Sequence, residues 1–183
     1  MMKRVSWIND SVISVQLRED LHTLAQMRSN HLMEFFDIRG NGEWKEVDLT
    51  SVPVLFCIFV AEHRLRPLFA RRVPPKEVIP NRRPVKRQML SFTVMPGGSY
   101  GADLVEITED YCSVDAKLLK ADLSIEEDLA DIHGNELTGM VGDAEKLKAR
   151  LIRYFDTGVN WDDSKSFLFP GIKLPTPNEA NFA

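Results

Sequence analysis

Three consecutive segments decide the fold: SVISVQL at residues 11–17, LHTLAQM at 21–27 and HLMEFFDI at 31–38. In the first segment, apolar Ile13, Val15 and Leu17 alternate with residues of the opposite face, and a period of two is typical of a strand. Polar residues at 18–20 and 29–30 interrupt the pattern and favour turns. The segments therefore predict an antiparallel β meander.

The meander extends through the next segments of the chain. Gly40 and Gly42 tolerate the backbone conformations of a tight turn and end the third strand. Residues 54–61 are apolar at nearly every position, which is typical of a strand covered on both faces or curled inside a small barrel. Residues 67–73 are expected to add a fifth strand. The N-terminal half is thus predicted to form a small antiparallel barrel or a curled sheet.

The second half changes character after residue 73. Prolines and basic residues dominate 74–89 and predict an extended arm, after which strands resume at 90–95 and 103–108 around a glycine-rich turn. Ser124 and Glu127 have the spacing of a capping box for a short helix that ends at Gly134. A second helix is expected between an N-cap at Asp143 and a stop at Gly158, with Lys146, Lys148, Arg150 and Arg153 on its exposed face.

The length of 183 residues, with 44% hydrophobic and 27% charged side chains, predicts one globular domain over 1–183 of the α+β class. Its expected parts are a β meander at 1–73, a proline-rich basic arm at 74–89, strands plus two short helices at 90–158, and a tail at 159–183. The apolar patch formed by Phe167, Leu168 and Phe169 in that tail is expected to dock on the domain.

The expected location in the cell is inferred from two features that the sequence does not show, a secretory signal and a membrane-spanning run. No apolar run follows the basic N-terminal residues, and the longest apolar run, at 52–61, is too short to span a membrane, so a soluble cytoplasmic protein is expected. Cys57 and Cys112 lack metal-ligand or redox spacing and are expected to be reduced, buried or half-buried thiols.

Catalytic and metal-binding patterns are weak. The histidines at positions 22, 31, 63 and 133 are scattered and lie in no HExxH context, and the glycines at 97, 98 and 101 lack phosphate-loop spacing. The acidic residues lack the order of an EF-hand loop. We therefore predict neither an enzyme nor a cofactor or metal site.

Charge is distributed unevenly along the chain. Residues 1–100 carry 15 Lys/Arg and 10 Asp/Glu, whereas residues 101–183 carry eight and 17. Opposite fields of this kind speed and orient association with a charged partner. The acidic segment predicts a partner-binding set made of Glu106, Glu109, Asp110, Asp115, Glu126, Glu127 and Asp128. The basic segment 64–87 supplies an alternative surface made of Arg82, Arg83, Lys86 and Arg87.

Several short motifs resemble a family of bacterial immunity proteins: DSVISVQL at 10–17, LAQM at 24–27, MEFFDI at 33–38, PVLF at 53–56 and EKLKARL at 145–151. In that family a similar series of strands builds an SH3-like barrel. Such proteins are encoded beside polymorphic or contact-dependent toxins and protect the producing cell by binding the toxin domain. The resemblance covers residues 10–158 and implies an SH3-like barrel or curled sheet in the N-terminal half.

The combined prediction is an immunity protein that binds and neutralises a cognate toxin domain without catalysis, in the cytoplasm and away from the membrane. The alternative is a nucleic-acid-binding module that presents the basic arm 64–87 to phosphates. Few aromatic residues accompany that arm, whereas proteins that bind single strands interleave several.

Overall fold

A computed structural model describes residues 6–177 of the chain. The chain has two compact units: unit 1 consists of Met1–Val85 and Met140–Ala149, and unit 2 of Lys86–Gly139 and Arg150–Ala183. The predicted α+β class is confirmed, with antiparallel sheets first and short helices in the C-terminal half. The prediction of one domain stays a prediction, because two compact units can belong to a single domain.

Unit 1 contains a five-stranded antiparallel sheet. Its elements are β1 (Val12–Gln16), β2 (His22–Met27), β3 (Leu32–Gly40), β4 (Val47–Asp48), β5 (Val54–Phe59), α1 (Glu62–Leu65), β6 (Phe69–Val73) and β7 (Val78–Ile79). The sheet order is β5-β3-β2-β1-β6, and β4 and β7 form a separate parallel pair. Because β5 and β6 remain edge strands, the sheet is open and not closed into a barrel. The meander predicted for β1, β2 and β3 is present and β5 continues it beside β3, whereas β6 pairs with β1 at the opposite edge of the sheet.

One core cluster of unit 1 packs around an indole. It contains Val12, Leu24, Phe36, Trp44, Leu49, Val73 and Val78. Trp44 is buried, and its Nε1 donates a hydrogen bond of 3.1 Å to Ser14 Oγ. This bond explains how a serine is accommodated in the buried middle of β1, since an unpaired buried hydroxyl would be costly.

Unit 2 contains a three-stranded antiparallel sheet and short helices. Its strands are β8 (Gln88–Val94), β9 (Tyr100–Glu106) and β10 (Lys117–Lys120), in the order β10-β9-β8. The helices are α2 (Ile125–Gly134), α3 (Ala144–Thr157, shared by both units) and α4 (Asp163–Leu168). The core cluster contains Leu90, Ala102, Leu104, Leu123, Ile132, Trp161, Leu168 and Phe169. Among residues 6–177, no helix is both long and apolar enough to cross a bilayer.

The predicted helix ends are present, with one change of partner. Ser124 Oγ accepts a hydrogen bond of 3.3 Å from Glu127 N, as expected for the N-cap. The reciprocal bond of the capping box, from Ser124 N, is accepted at 2.9 Å by the carboxylate of Asp128 and not by that of Glu127. Asp143 Oδ1 accepts from Lys146 N at 3.0 Å and caps α3. Gly158 ends that helix with a φ of 77°, a conformation that glycine adopts without strain.

Four local predictions were wrong. Leu129 falls on the same face of a regular helix as Ile125 and Ile132, which predicts a buried side chain, but it is exposed, because non-helical angles at Asp128 interrupt the helical period there. Phe167 is exposed, whereas its neighbours Leu168 and Phe169 are buried as expected. Arg150 is buried rather than part of an exposed basic face. The strand predicted at 103–108 begins earlier, at Tyr100, because the turn is completed within residues 95–99.

Candidate protein-binding surfaces of unit 2

Five residues of the predicted acidic set are exposed to solvent in two groups. Glu109, Asp110 and Asp115 lie in the loop that precedes β10, and Glu126 and Glu127 lie in the first turn of α2, which follows β10. Carboxylates in the first turn complement the positive end of a helix dipole. The exposed acids therefore border β10 at both ends.

The other two residues of the acidic set make internal bonds. Glu106 pairs with Arg87 at 3.3 Å between Oε1 and Nη2. Asp128 is only 3% exposed, and its carboxylate accepts hydrogen bonds from Lys120 Nζ and Ser124 N. The hydrogen bond from Lys120 holds the pKa of Asp128 below its ordinary value. Asp128 thus ties β10 to the start of α2.

All four residues of β10 are exposed, and this strand is one edge of its sheet. Leu118 and Leu119 are large exposed apolar residues, as is Val114 in the preceding loop. Three residue steps of about 3.3 Å make β10 about 10 Å long. We call Val114, Leu118, Leu119 and the five exposed acids the β10 surface.

The net charge of unit 1 is positive and that of unit 2 is negative, as for the first and second halves of the sequence. Unit 1 contains 15 Lys/Arg and 12 Asp/Glu, whereas unit 2 contains eight and 15. Unit 2 therefore carries an excess of seven negative charges. A field of this sign attracts a basic partner and repels an acidic one.

The alternative basic surface is divided between the units and largely engaged in internal bonds. Arg82 is exposed, and no described residue bonds to its guanidinium. Arg83 donates to Asn81 Oδ1 at 2.9 Å and to the carbonyl oxygens of Leu49 and Val52. In unit 2, Lys86 Nζ donates to the Gly134 carbonyl at 2.8 Å, and Arg87 pairs with Glu106. Three of the four cationic side chains thus have intramolecular acceptors.

A buried polar network in unit 1 holds the proline-rich arm, residues 74–89, against the sheet. Asn81 Nδ2 donates to both carboxylate oxygens of Glu34 at 3.2 Å, and Asn81 N donates to Gln26 Oε1 at 2.7 Å. The Asn81 carbonyl accepts from Gln26 Nε2 and from Arg28 Nη1. Burial raises the pKa of Glu34, although the charge of Arg28 and the bond from Asn81 oppose this. The network attaches the arm to strands β2 and β3.

A buried charged cluster stabilises unit 2. Arg150 forms two bonds to Glu136, of 2.7 and 2.9 Å, and also donates to Asn160 Oδ1. Lys165 is almost fully buried, lies 5.1 Å from the centre of the Trp161 ring and donates to the Ile132 carbonyl at 3.0 Å. A cation is favoured at these last carbonyls of α2 by the helix dipole. The cluster therefore joins α2, α4 and the second half of α3.

The comparison with family models gives a match over residues 2–174 to a domain of unknown function, DUF8309. The chain belongs to the DUF8309 family. Neither the curated proteins nor the solved structures include a match to it.

Within residues 6–177 of this DUF8309 chain, no three His, Cys, Asp or Glu side chains are grouped as metal ligands would be. His22 is buried, and its pKa is lowered by burial and by the charge of Arg71. Both cysteines are half-buried thiols, as the sequence predicted.

Sequence reasoning missed a second exposed surface on unit 2. Phe92, Val94, Tyr100 and Phe167 are 54%, 59%, 49% and 65% exposed. The ring centres of Phe92 and Tyr100 are 5.4 Å apart, and those of Tyr100 and Phe167 are 5.3 Å apart. We call these four residues the aromatic patch. One sequence signal could have revealed it, because residues 88–102 contain no charged side chain in a chain that is 27% charged.

Proposed function

We propose that this DUF8309 chain is an immunity protein of the cytoplasm that binds and neutralises a cognate toxin domain without catalysis. The observation that carries the proposal is the β10 surface, where the exposed Leu118 and Leu119, flanked by Lys117 and Lys120, lie in the chain between two groups of exposed carboxylates. The bacterial toxin as partner is suggested by the sequence motifs within residues 10–158 that resemble immunity proteins.

The β10 surface has the composition of a binding site for a basic protein. Leu118 and Leu119 would lose water at the centre of the contact, which is the main favourable term in most associations. The carboxylates at the border would steer a basic partner and fix its orientation. A toxin domain with a basic substrate groove, such as a nuclease, has the complementary charge.

The central experiment uses the toxin domain encoded in the neighbouring reading frame. We expect co-expression with this chain to restore growth of cells that make the toxin, and the purified proteins to form a 1:1 complex. The double variant Glu126→Lys/Glu127→Lys should lower the association rate about tenfold at low salt and weaken its salt dependence.

A matched control keeps the same change in net charge. Glu19→Lys/Glu43→Lys reverses two exposed glutamates of unit 1 and should leave the association rate much closer to that of the natural chain. Equal effects of the two double variants would assign the loss to overall charge and contradict the role of the β10 surface. Failure of the toxin to bind the natural chain would contradict the immunity proposal itself.

Nucleic-acid binding by the basic arm is less well supported. Arg71 pairs with Glu77 at 2.6 Å, and Arg83 and Arg87 have internal acceptors, so fewer cations remain to release counterions from phosphates. A polarisation assay with labelled single-stranded RNA and DNA tests this alternative. Strongly salt-dependent binding that is lost when Arg82, Arg83, Lys86 and Arg87 are all neutralised would favour it over the immunity proposal.

A further inference from the structure

The backbone of β8 has an open edge beside the aromatic patch. Met95 N donates to Ser99 O at 2.8 Å, on the edge of β8 that faces β9. Leu90 N donates to Glu136 O at 2.7 Å, on the opposite edge of β8. Successive residues of a strand direct their backbone groups to opposite edges. The N–H and C=O groups of Phe92 and Val94 therefore point in the same direction as those of Leu90, away from β9.

Part of this edge is already occupied by the chain itself. Leu90 forms a parallel bridge with Leu137, and Thr138 N donates to Leu90 O at 2.9 Å. Beyond Leu90, no residue within 6–177 pairs with the outward backbone groups of Phe92 or Val94. Two donors and two acceptors are thus open at a solvent-exposed strand.

This edge lacks the features that normally prevent strands from pairing. Natural edge strands commonly carry lysine, proline or a bulge for that purpose. β8 pairs with β9 in continuous register from Gln88 to Val94, and residues 88–102 carry no charge. The nearest charged residue of β9 is Asp103, which faces Ser91 and lies outside the segment that would form the contact.

We propose that β8 pairs antiparallel with β8 of a second copy of this chain, about a two-fold axis at Thr93. In this register Phe92 faces Val94 of the second copy, and Val94 faces its Phe92. Residues that face each other in this way exchange both backbone hydrogen bonds. The pairing uses each of the four open groups once and is independent of the proposed function.

A second copy of β8 fits this edge because the pairing would end at the same residues on both strands. Leu90 would face Pro96 of the second copy, which has no N–H and follows the end of the strand. The new contact therefore ends where the segment at residues 136–138 already occupies the edge. Directly opposed residues lie on one face of a sheet, so Phe92 and Val94 of the two copies would form one apolar surface.

The exposed area of the patch indicates weak association. Aromatic side chains bury roughly 150–250 Å² each, so the three half-exposed rings offer at most on the order of 300 Å² per copy, and Tyr100 lies on β9, on the far side of β8 from the second copy. The pair would therefore bury at most about 600 Å² in total, below the roughly 1,200 Å² of specific stable complexes. We expect a dissociation constant on the order of 0.1 mM.

Sedimentation velocity of the full chain over a concentration series up to about 1 mM tests the proposal. The natural chain should show a monomer–dimer equilibrium. Val94→Pro removes one outward N–H without affecting a bond to β9, and Phe92→Lys adds like charge to the contact; each should weaken dimerisation at least tenfold. Val114→Lys, at an exposed apolar position outside the hairpin, should dimerise like the natural chain.

Cross-linking tests the register. Cysteines at 93 would face each other across the axis at a Cα separation of about 4.5 Å, within disulfide range, so Thr93→Cys should give a covalent dimer on oxidation. Ser91→Cys should not, because four residue steps separate its two copies along the strands. The proposal is wrong if the natural chain stays monomeric at about 1 mM, or if the Phe92→Lys and Val94→Pro variants both dimerise normally. Cross-linking of Ser91→Cys but not Thr93→Cys would refute this register.

Discussion

Replacement of Glu136 by glutamine should destabilise unit 2 by about 3 kcal/mol at pH 7. Burial raises the pKa of the Glu136 carboxyl, but the charges of Arg150 and Lys165, the hydrogen bonds from Arg150 and the charge of Lys86 outweigh it and lower the pKa from 4.5 to about 2. Each unit of difference between folded and unfolded pKa corresponds to about 1.4 kcal/mol. The substitution would also leave Arg150 and Lys165 without their shared counter-ion.

The sign of the pH dependence follows from the lowered pKa. The stabilisation is fully present above pH 4.5 and is lost as the pH falls through 2, because below that value the carboxyl is protonated in both states. At pH 3 the remaining contribution is about 1 kcal/mol. The difference between the natural chain and Glu136→Gln should therefore shrink by more than half between pH 7 and pH 3.

Urea unfolding followed by tryptophan fluorescence and far-ultraviolet circular dichroism measures this difference. Trp161 is buried beside Lys165 and reports on the cluster. Glu126→Gln, a carboxylate on the surface of α2, serves as the control and should unfold like the natural chain. A loss below about 1 kcal/mol at pH 7, or a difference that does not decrease on acidification, would refute the assignment of Glu136 as the central counter-ion.

Three further predictions concern the buried polar groups. In the same urea assay, Lys165→Met should lower the free energy of unfolding less than Glu136→Gln does. Methionine can still pack on Trp161, and Glu136 keeps its two hydrogen bonds from Arg150. Asn81→Ala should cost about 2 kcal/mol in urea unfolding and speed tryptic cleavage of the arm, since its bonds to Glu34 are lost. Glu34→Gln should become more stable relative to the natural chain as the pH rises from 4.5 to 8 in thermal unfolding, because a raised folded pKa means that stability falls with increasing pH.

The strands of unit 1 could be predicted because their signals are local. β1, β2 and β3 follow one another through short turns, and each pairs with its neighbour in sequence. The ends of α3 were equally predictable, since Asp143 and Gly158 act within one helical turn. Such signals require only the residues beside them.

Features that depend on distant residues could not be predicted. Asn81 binds Glu34 across 47 positions, and nothing in the basic composition of the arm indicates that contact. β10 reads KLLK, which has no alternation and is too short to be recognised as a strand. The choice of Asp128 over Glu127 as the reciprocal cap depends on Lys120, whose ammonium binds the same carboxylate. Neighbouring acids therefore have different roles that composition cannot separate.

The β10 surface and the aromatic patch of unit 2 differ in the charges around them, and this difference favours different kinds of partner. The five exposed carboxylates of the β10 surface outnumber Lys117 and Lys120, so two copies that met there would bring an excess of negative charge together, which disfavours self-association. Three members of the aromatic patch lie in the uncharged segment 88–102 and have no such barrier. A basic partner gains at the β10 surface from the same carboxylates that repel a second copy. Because the surfaces differ in this way, the proposed toxin binding and the proposed dimerisation use different residues and need not compete on one molecule.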